Sequence, residues 1–266
     1  MIAWTHYPAG GHRINCHACE GRKSLGLTID SDGHGVAHCF KCELVETHRA
    51  GSKRLAQPIV TAHKHETLSE YGRELWAACK PLTGVARDYL SARGCALPPA
   101  DGDLRFHPQL KHPPSGHTGP ALVALVTDAV TRKPLTLHRT WINRDGTKAS
   151  VEPPRMLLGG HSKKGGVIRL WPDECVTHGL AIGEGLETCL SLAHAFKPVW
   201  ACVDAGNLAA FPVLDGVESL FIAVDNDPAG RKAANDCAAR WNDAGAKVLL
   251  TQQPQNDLND ALQEVA

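Results

Sequence analysis

The sequence predicts an α/β fold with three parts: a small N-terminal β ribbon, a mixed α+β middle segment and a C-terminal, mostly parallel sheet. Three observations predict it. From Gly179 on, short apolar runs alternate with helical stretches. Ahead of them, strand-like runs rich in Val, Leu, Ile and Thr are bounded by turn signals. Near the start, two Cys-x-x-Cys pairs bracket an insert of hairpin length.

The pairs are CHAC, Cys16 to Cys19, and CFKC, Cys39 to Cys42, with nineteen residues between them. Two thiolates on each of two tight turns can converge at about 2.3 Å on one tetrahedral zinc. The insert fits that geometry, since SLGLTID and GVAHCF read as short strands joined by the turn SDGHG. A redox Cys-x-x-Cys is the competing reading, and His17 and His38 stand beside the ligands as possible substitutes for one of them. The other cysteines, Cys79, Cys95, Cys175, Cys189, Cys202 and Cys237, show no pairing and read as small core residues. The ribbon is assigned to residues 1–46.

Residues 47–65, including RAGSKRLAQPIVTAHKH, lack apolar periodicity and read as a linker. A middle segment follows over 66–173. ETLSEYGRELWAAC places Leu68, Tyr71, Leu75, Trp76 and Cys79 at helical spacing, and GVARDYLSARG predicts a second helix closed by Gly94. ALVALVTD, KPLTLHRTWINRDG and GGVIRLW then read as strands.

The last part, 174–266, runs LAIG (strand), EGLETCLSLAHAF (helix), PVWACV (strand), GNLAAF (short helix), SLFIAV (strand), PAGRKAANDCAARWNDAG (helix), AKVLLT (strand) and DLNDALQEV (helix). Such alternation predicts a parallel sheet covered on both faces. Functional residues in these sheets lie beyond the carboxyl ends of the strands. Glu184 follows the first strand, Asp225 and Asp227 the third, and Asp257 the fourth.

AVDNDPAG ends its strand with two aspartates two residues apart. Charges are costly inside a parallel sheet, but at a strand end Asp225 and Asp227 can face one side and converge on hard cations. Pro228 then suits the first helical position and Gly230 a close approach. The competing reading of Asp227 is an ordinary helix N-cap. Glu187, one turn beyond Glu184, reads as a surface or capping residue pointing elsewhere.

Net charge is zero, yet it divides along the chain. Lys and Arg number 8 against 5 Asp and Glu over 1–65, 15 against 10 over 66–173, and 5 against 13 over 174–266. A basic front facing something anionic and an acidic centre needing cations follow from that division. There is no apolar run of about eighteen residues and no signal-peptide layout, so a soluble, cytoplasmic protein with no membrane partner is expected.

IGEGLETCLS and AVDNDPAG, about forty residues apart, together resemble the Toprim domain of bacterial-type primases, topoisomerases and related enzymes. That family carries a glutamate in its first motif and a DxD in its second, matching Glu184, Asp225 and Asp227. QNDLNDAL resembles the DxND ending of phage and plasmid Toprim primases, which makes Asp257 and Asp260 candidates. Upstream, YLSARGCALPPADGDLRFHP, the paired strands and GGVIRLW resemble the segment preceding Toprim in phage- and plasmid-borne primases. The ribbon resembles their zinc-binding domain, so the likeness spans nearly the whole chain.

The resemblance implies a DNA primase that makes short RNA primers on a single-stranded DNA template from nucleoside triphosphates. Magnesium or manganese would be held by Glu184, Asp225, Asp227 and Asp257, with Glu184 acting as a ligand or as a general base. Arg93, Arg105, Arg139, Arg155, Lys163, Lys164 and Arg169 would hold template and nucleotide phosphates, Arg139 foremost because it sits in an apolar strand. The ribbon would read the template, with Phe40 or His38 as a stacking face, against the alternative that Phe40 packs the ribbon's own core. No GxxxxGKS/T phosphate loop follows, so a replicative helicase partner is expected to be encoded separately. A zinc-and-Toprim recombination mediator without catalysis and a Toprim nuclease are the alternatives.

Overall fold

The computed structural model describes residues 2–50 and 65–265, so most of the expected linker lies outside the described residues. Contacts divide the chain into two compact units, Met1–Thr61 and Ala62–Ala266.

The first unit is a four-stranded antiparallel sheet in chain order: β1 (Gly10–Ile14), β2 (Leu25–Ile29), β3 (Gly35–Cys39) and β4 (Val45–His48). The alternation of β2 and β3 buries Leu25, Leu27 and Ala37 on one face. Gly33, at φ +81°, makes the tight turn between them and donates its N–H to the Asp30 carbonyl. The outer strands GGHRI and VETH bury almost nothing, which is why the sequence does not announce them.

The second unit holds one nine-stranded sheet. Helices α1 (Glu70–Ala78) and α2 (Val85–Ala92) come first, and Gly94 at φ +62° ends the second. Leu75 and Trp76 pack inward from α1 as expected, but Tyr71 points to solvent and is 61% exposed. Then come β5 (Leu104–Lys111), β6 (Thr118–Asp128), β7 (Pro134–Trp141), β8 (Arg155–Leu157) and β9 (Gly166–Arg169). The α/β part follows as β10 (Gly179–Gly183), α3 (Leu186–Leu192), β11 (Val199–Ala201), α4 (Ala205–Ala209), β12 (Ser219–Ala223), α5 (Pro228–Asp243), β13 (Lys247–Leu250) and α6 (Leu258–Val265).

Strand order is β13-β12-β10-β11-β9-β6-β7-β8, with β5 on β6. The first four are mutually parallel, as the alternation predicts; β9 joins β11 antiparallel and carries the sheet into the middle segment. Chain direction is decisive here. From β10 the chain moves to β11 on one side, and from β12 to β13 on the other, so a crevice opens at the carboxyl ends of β10 and β12. Tyr89, Leu90, Leu186 and Leu190 share one core cluster with Leu122 and Ile168, while Trp200, Phe211 and Trp241 anchor another under α4 and α5.

Candidate metal centre and active-site cleft

In the ribbon, Sγ of Cys16 lies 3.7 Å from that of Cys42, and Sγ of Cys19 3.7 Å from that of Cys39. All four sulfurs lie within 4.8 Å of one another. A tetrahedron with arms of about 2.3 Å has edges of about 3.8 Å, so four thiolates at this spacing fit one zinc ion. His17 is engaged by Glu46 at 2.8 Å and His38 packs edge-on against Phe40, so neither joins the cluster.

At the crevice, Gly183 is in register with Ala223, and the residues just past these two strands therefore lie side by side. A cleft of about 370 Å³ opens there, lined by Glu184, Asp225, Asp257 and Asp260. Burial, then the carboxylates of Asp225, Asp204 and Asp227, push the Glu184 carboxyl up to about 7. Burial, then Asp257 and Asp227, push Asp225 up to about 6. Oδ1 of Asp225 is buried without a hydrogen-bond partner among the described residues. An orphaned carboxylate oxygen among like charges is a donor set that suits a hard divalent cation.

Asp227 is exposed and caps α5, Oδ1 accepting the Gly230 N–H at 2.6 Å, so the N-cap reading describes this oxygen while Oδ2 remains open. Asp257 plays the same part for α6, accepting the Asp260 N–H at 2.9 Å from within the cleft. Gly230 makes the arrangement possible, because a Cβ there would sit 2.6 Å from the Asp225 carbonyl oxygen. Gly230→Ala is expected to displace Asp225 and to destabilise the fold by about 2 kcal/mol, which thermal melting checks, with weakened metal binding as the accompanying change.

Residues 179–266 match the family model described as the Toprim domain. They form a Toprim domain. Residues 66–170 match a second family, described as a domain of unknown function (DUF7146). No curated protein matches the chain in sequence. Among solved structures, the chain is similar to the primase fragment of the bacteriophage T7 primase-helicase protein, at 18% identity, covering 96% of this chain and 95% of that one, with a TM-score of 0.44. It is also similar to the Aquifex aeolicus primase (zinc-binding and RNA polymerase domains), at 15% identity over 97% and 76% of the two chains with a TM-score of 0.48. A third is a DNA primase domain from Pseudomonas aeruginosa, at 14% identity over 68% of each chain with a TM-score of 0.41.

Of the basic residues singled out in the sequence, two line the Toprim cleft, Arg93 and Arg155. Lys163 lies against Asp204, its Nζ 2.6 Å from Oδ2, and Lys164 is exposed on the adjoining turn. Three others are turned away. Arg139 is 3% exposed, donates to the Leu157 carbonyl and approaches the Trp141 ring, because strand alternation sends its neighbour His138 to the cleft instead. Arg169 is buried over Trp200, its guanidinium spent on Asp173, Thr127 and the carbonyls of Asp128 and Ala129. Arg105 stacks on Trp76 and donates to its carbonyl.

The Toprim cleft also holds residues the sequence reading passed over or misplaced. Glu187, read as a surface residue, is 5% exposed and lines the cleft with Lys148 and His138. Burial alone would raise its carboxyl, but Lys148, Arg155 and the Tyr89 hydrogen bond hold it below the usual range. His138 is pushed down to about 4 by burial and stays uncharged at neutral pH. Asn259 is fully buried, accepting from Arg93 and donating to the Arg93 carbonyl and to Ser191, which ties α6 to α2 and α3. Glu187 and Asn259 have one sequence signal, their place within the Toprim motif stretches, whereas His138 and Lys148 come from segments far upstream and have none.

Proposed function

We infer that the protein is a DNA primase, which synthesises short RNA primers on single-stranded DNA by divalent-metal-dependent nucleotidyl transfer. One observation carries the reading: at the switch crevice of a Toprim sheet, the unpartnered acid Asp225 meets Glu184, Asp257 and Asp260 across from Arg93, Lys148 and Arg155. Acids that need cations and bases that need anions, set in one cleft, suit a nucleotide triphosphate with its metal ions.

Glu184, Asp225 and Asp257 would hold magnesium or manganese, with the open oxygen of Asp227 within their field. Bound there, the ions supply charge neutralisation to the phosphoryl oxygens of an in-line displacement. Arg155 and Lys148 orient the triphosphate so that its α-phosphorus faces the primer hydroxyl. Glu184, whose carboxyl is pushed up to about 7 by burial and neighbouring acids in the metal-free protein, would serve as one of the metal ligands or instead take the hydroxyl proton.

In the ribbon, Phe40 is 60% exposed and does not pack the core; Arg13 lies 4.4 Å from its ring centroid and His38 stands at its edge. Gly26 leaves it room, since a Cβ there would meet the ring at 2.8 Å. An exposed aromatic bracketed by a cation is a platform for template bases. Phe40→Ala is expected to weaken binding of single-stranded DNA by about tenfold at fixed salt, read by fluorescence anisotropy.

The deciding experiment is primer synthesis on random single-stranded DNA with labelled nucleoside triphosphates and magnesium or manganese. Short RNA products establish the primase. Metal-dependent degradation of the template would replace it with a nuclease, and DNA binding without either reaction with a recombination mediator. A replicative helicase is the proposed partner, tested by whether adding one lengthens or multiplies the products.

A further inference from the structure

Glu187 sits on α3 three residues past Glu184, and a carboxylate this buried persists only where it is paired. The Tyr89 hydroxyl donates to Oε1 at 2.8 Å. Lys148 Nζ stands 3.9 Å from the same oxygen and the Arg155 guanidinium 4.0 Å from Oε2, both beyond hydrogen-bond reach. The two cations are thus drawn to the carboxylate without spending their donors on it. Among the described residues neither has a hydrogen-bond acceptor, and both line the cleft that Glu184, Asp225 and Asp257 occupy.

We propose that Glu187 is a positioning residue: its buried carboxylate, fixed by Tyr89, holds Lys148 and Arg155 as a pair of N–H donors for the polyphosphate of the incoming nucleotide. The inference rests on the primase reading and deepens it. Lys148 and Arg155 reach the carboxylate from segments remote from α3, one before β8 and one at its start. Without a counter-charge they would repel each other and swing toward solvent. His138 beside them adds no charge.

The sign of the effect separates positioning from simple electrostatics. Removing a negative charge next to an anion site strengthens anion binding if the charge merely repels, and weakens it if the charge holds the donors in place. The test is calorimetric titration of the full chain with magnesium-loaded inorganic tripolyphosphate, which needs no polymerisation. Glu187→Gln, which keeps the volume and an acceptor for Tyr89, is expected to bind about tenfold more weakly with its melting midpoint retained. Glu187→Asp is expected to recover most of that loss, and in a Lys148→Met background Glu187→Gln is expected to cost less than about threefold more. Binding by Glu187→Gln that equals or exceeds wild type overturns the proposal. Should Glu187→Gln fail to fold, Tyr89→Phe carries the test: about threefold weaker binding supports the pair, and unchanged binding overturns it. A protein that binds tripolyphosphate in this Glu187-dependent way but makes no primers defeats the primase reading and leaves the pair standing. One that primes while Glu187→Gln binds as tightly as wild type defeats the pair alone.

Discussion

On the proposed primase reading, Asp225→Asn is expected to cut primer synthesis by on the order of 10³-fold, while raising the melting midpoint of the metal-free protein by about 3 °C. The two effects share one cause. Asp225 is half-buried beside Glu184, Asp257 and Asp227, with an oxygen that no group among the described residues satisfies. Its charge is a liability to the fold and, on the proposed reading, the reason for the site, so removing it would relieve repulsion and take away a cation ligand together. The pH dependence carries the same signature. Glu184 and Asp225 have folded pKa values near 7 and 6, raised above their unfolded values. The folded state therefore binds protons more tightly than the unfolded one. Metal-free stability is fully present below about pH 4 as far as these two groups are concerned, and declines as pH rises through about 7. Magnesium or manganese should flatten that decline, and Asp225→Asn should remove part of it. A metal-free midpoint that rises between pH 5 and 8, with the Asn variant melting below wild type, would sink this account.

Cys39→Ser is expected to cost the ribbon its metal and its fold. Cys39 is fully buried at the end of β3, and beyond the thiolates the unit's core is little more than Ile2, Leu25, Leu27 and Ala37. A core that small does not hold a chain of about 50 residues together, whereas a structural zinc contributes on the order of 10 kcal/mol. The measurement is zinc content by elemental analysis together with tryptophan fluorescence, Trp4 being stacked on His48 in β4. Wild type should carry one zinc per chain, and the variant none, with the Trp4 environment lost. The variant's remaining cooperative melt should match the wild-type melt of the second unit. If single-stranded DNA binding and primer start sites survive this loss unchanged, the ribbon does not read template.

What was legible in the sequence follows from what each residue needs from its neighbours in the chain. The Cys-x-x-Cys pairs and the strand–helix alternation are local patterns, so the ribbon hairpin and the parallel strands could be read directly. So could Glu184, Asp225 and Asp257, because topology alone sends strand ends to the crevice. β5 escaped because it is interrupted by Pro108 and a register shift between His107 and Leu110, and half its residues are polar. Glu187 was misread for the opposite reason: an isolated acid on a helix looks solvated until Lys148 and Arg155 arrive from distant segments to neutralise it. Arg139 was favoured for sitting among apolar residues, yet Leu137, Arg139 and Trp141 share one face of β7 and His138 takes the other. Arg169 had a local clue in Asp173, four residues on, which claims its guanidinium.

The pairing of β9 with β11 bears on how this protein can be cut and recombined. β11 is three residues long and buried throughout, and among the described residues its outer edge is satisfied by Arg169 and Ile168, from the segment before Gly179. A fragment that starts at Gly179 would leave that edge, Trp200 included, as a bare template for any passing strand. Residues 179–266 are therefore not expected to be a portable cassette. A chimaera that borrows them must also borrow the chain from Gly166 onward, or supply a foreign strand running in the same direction.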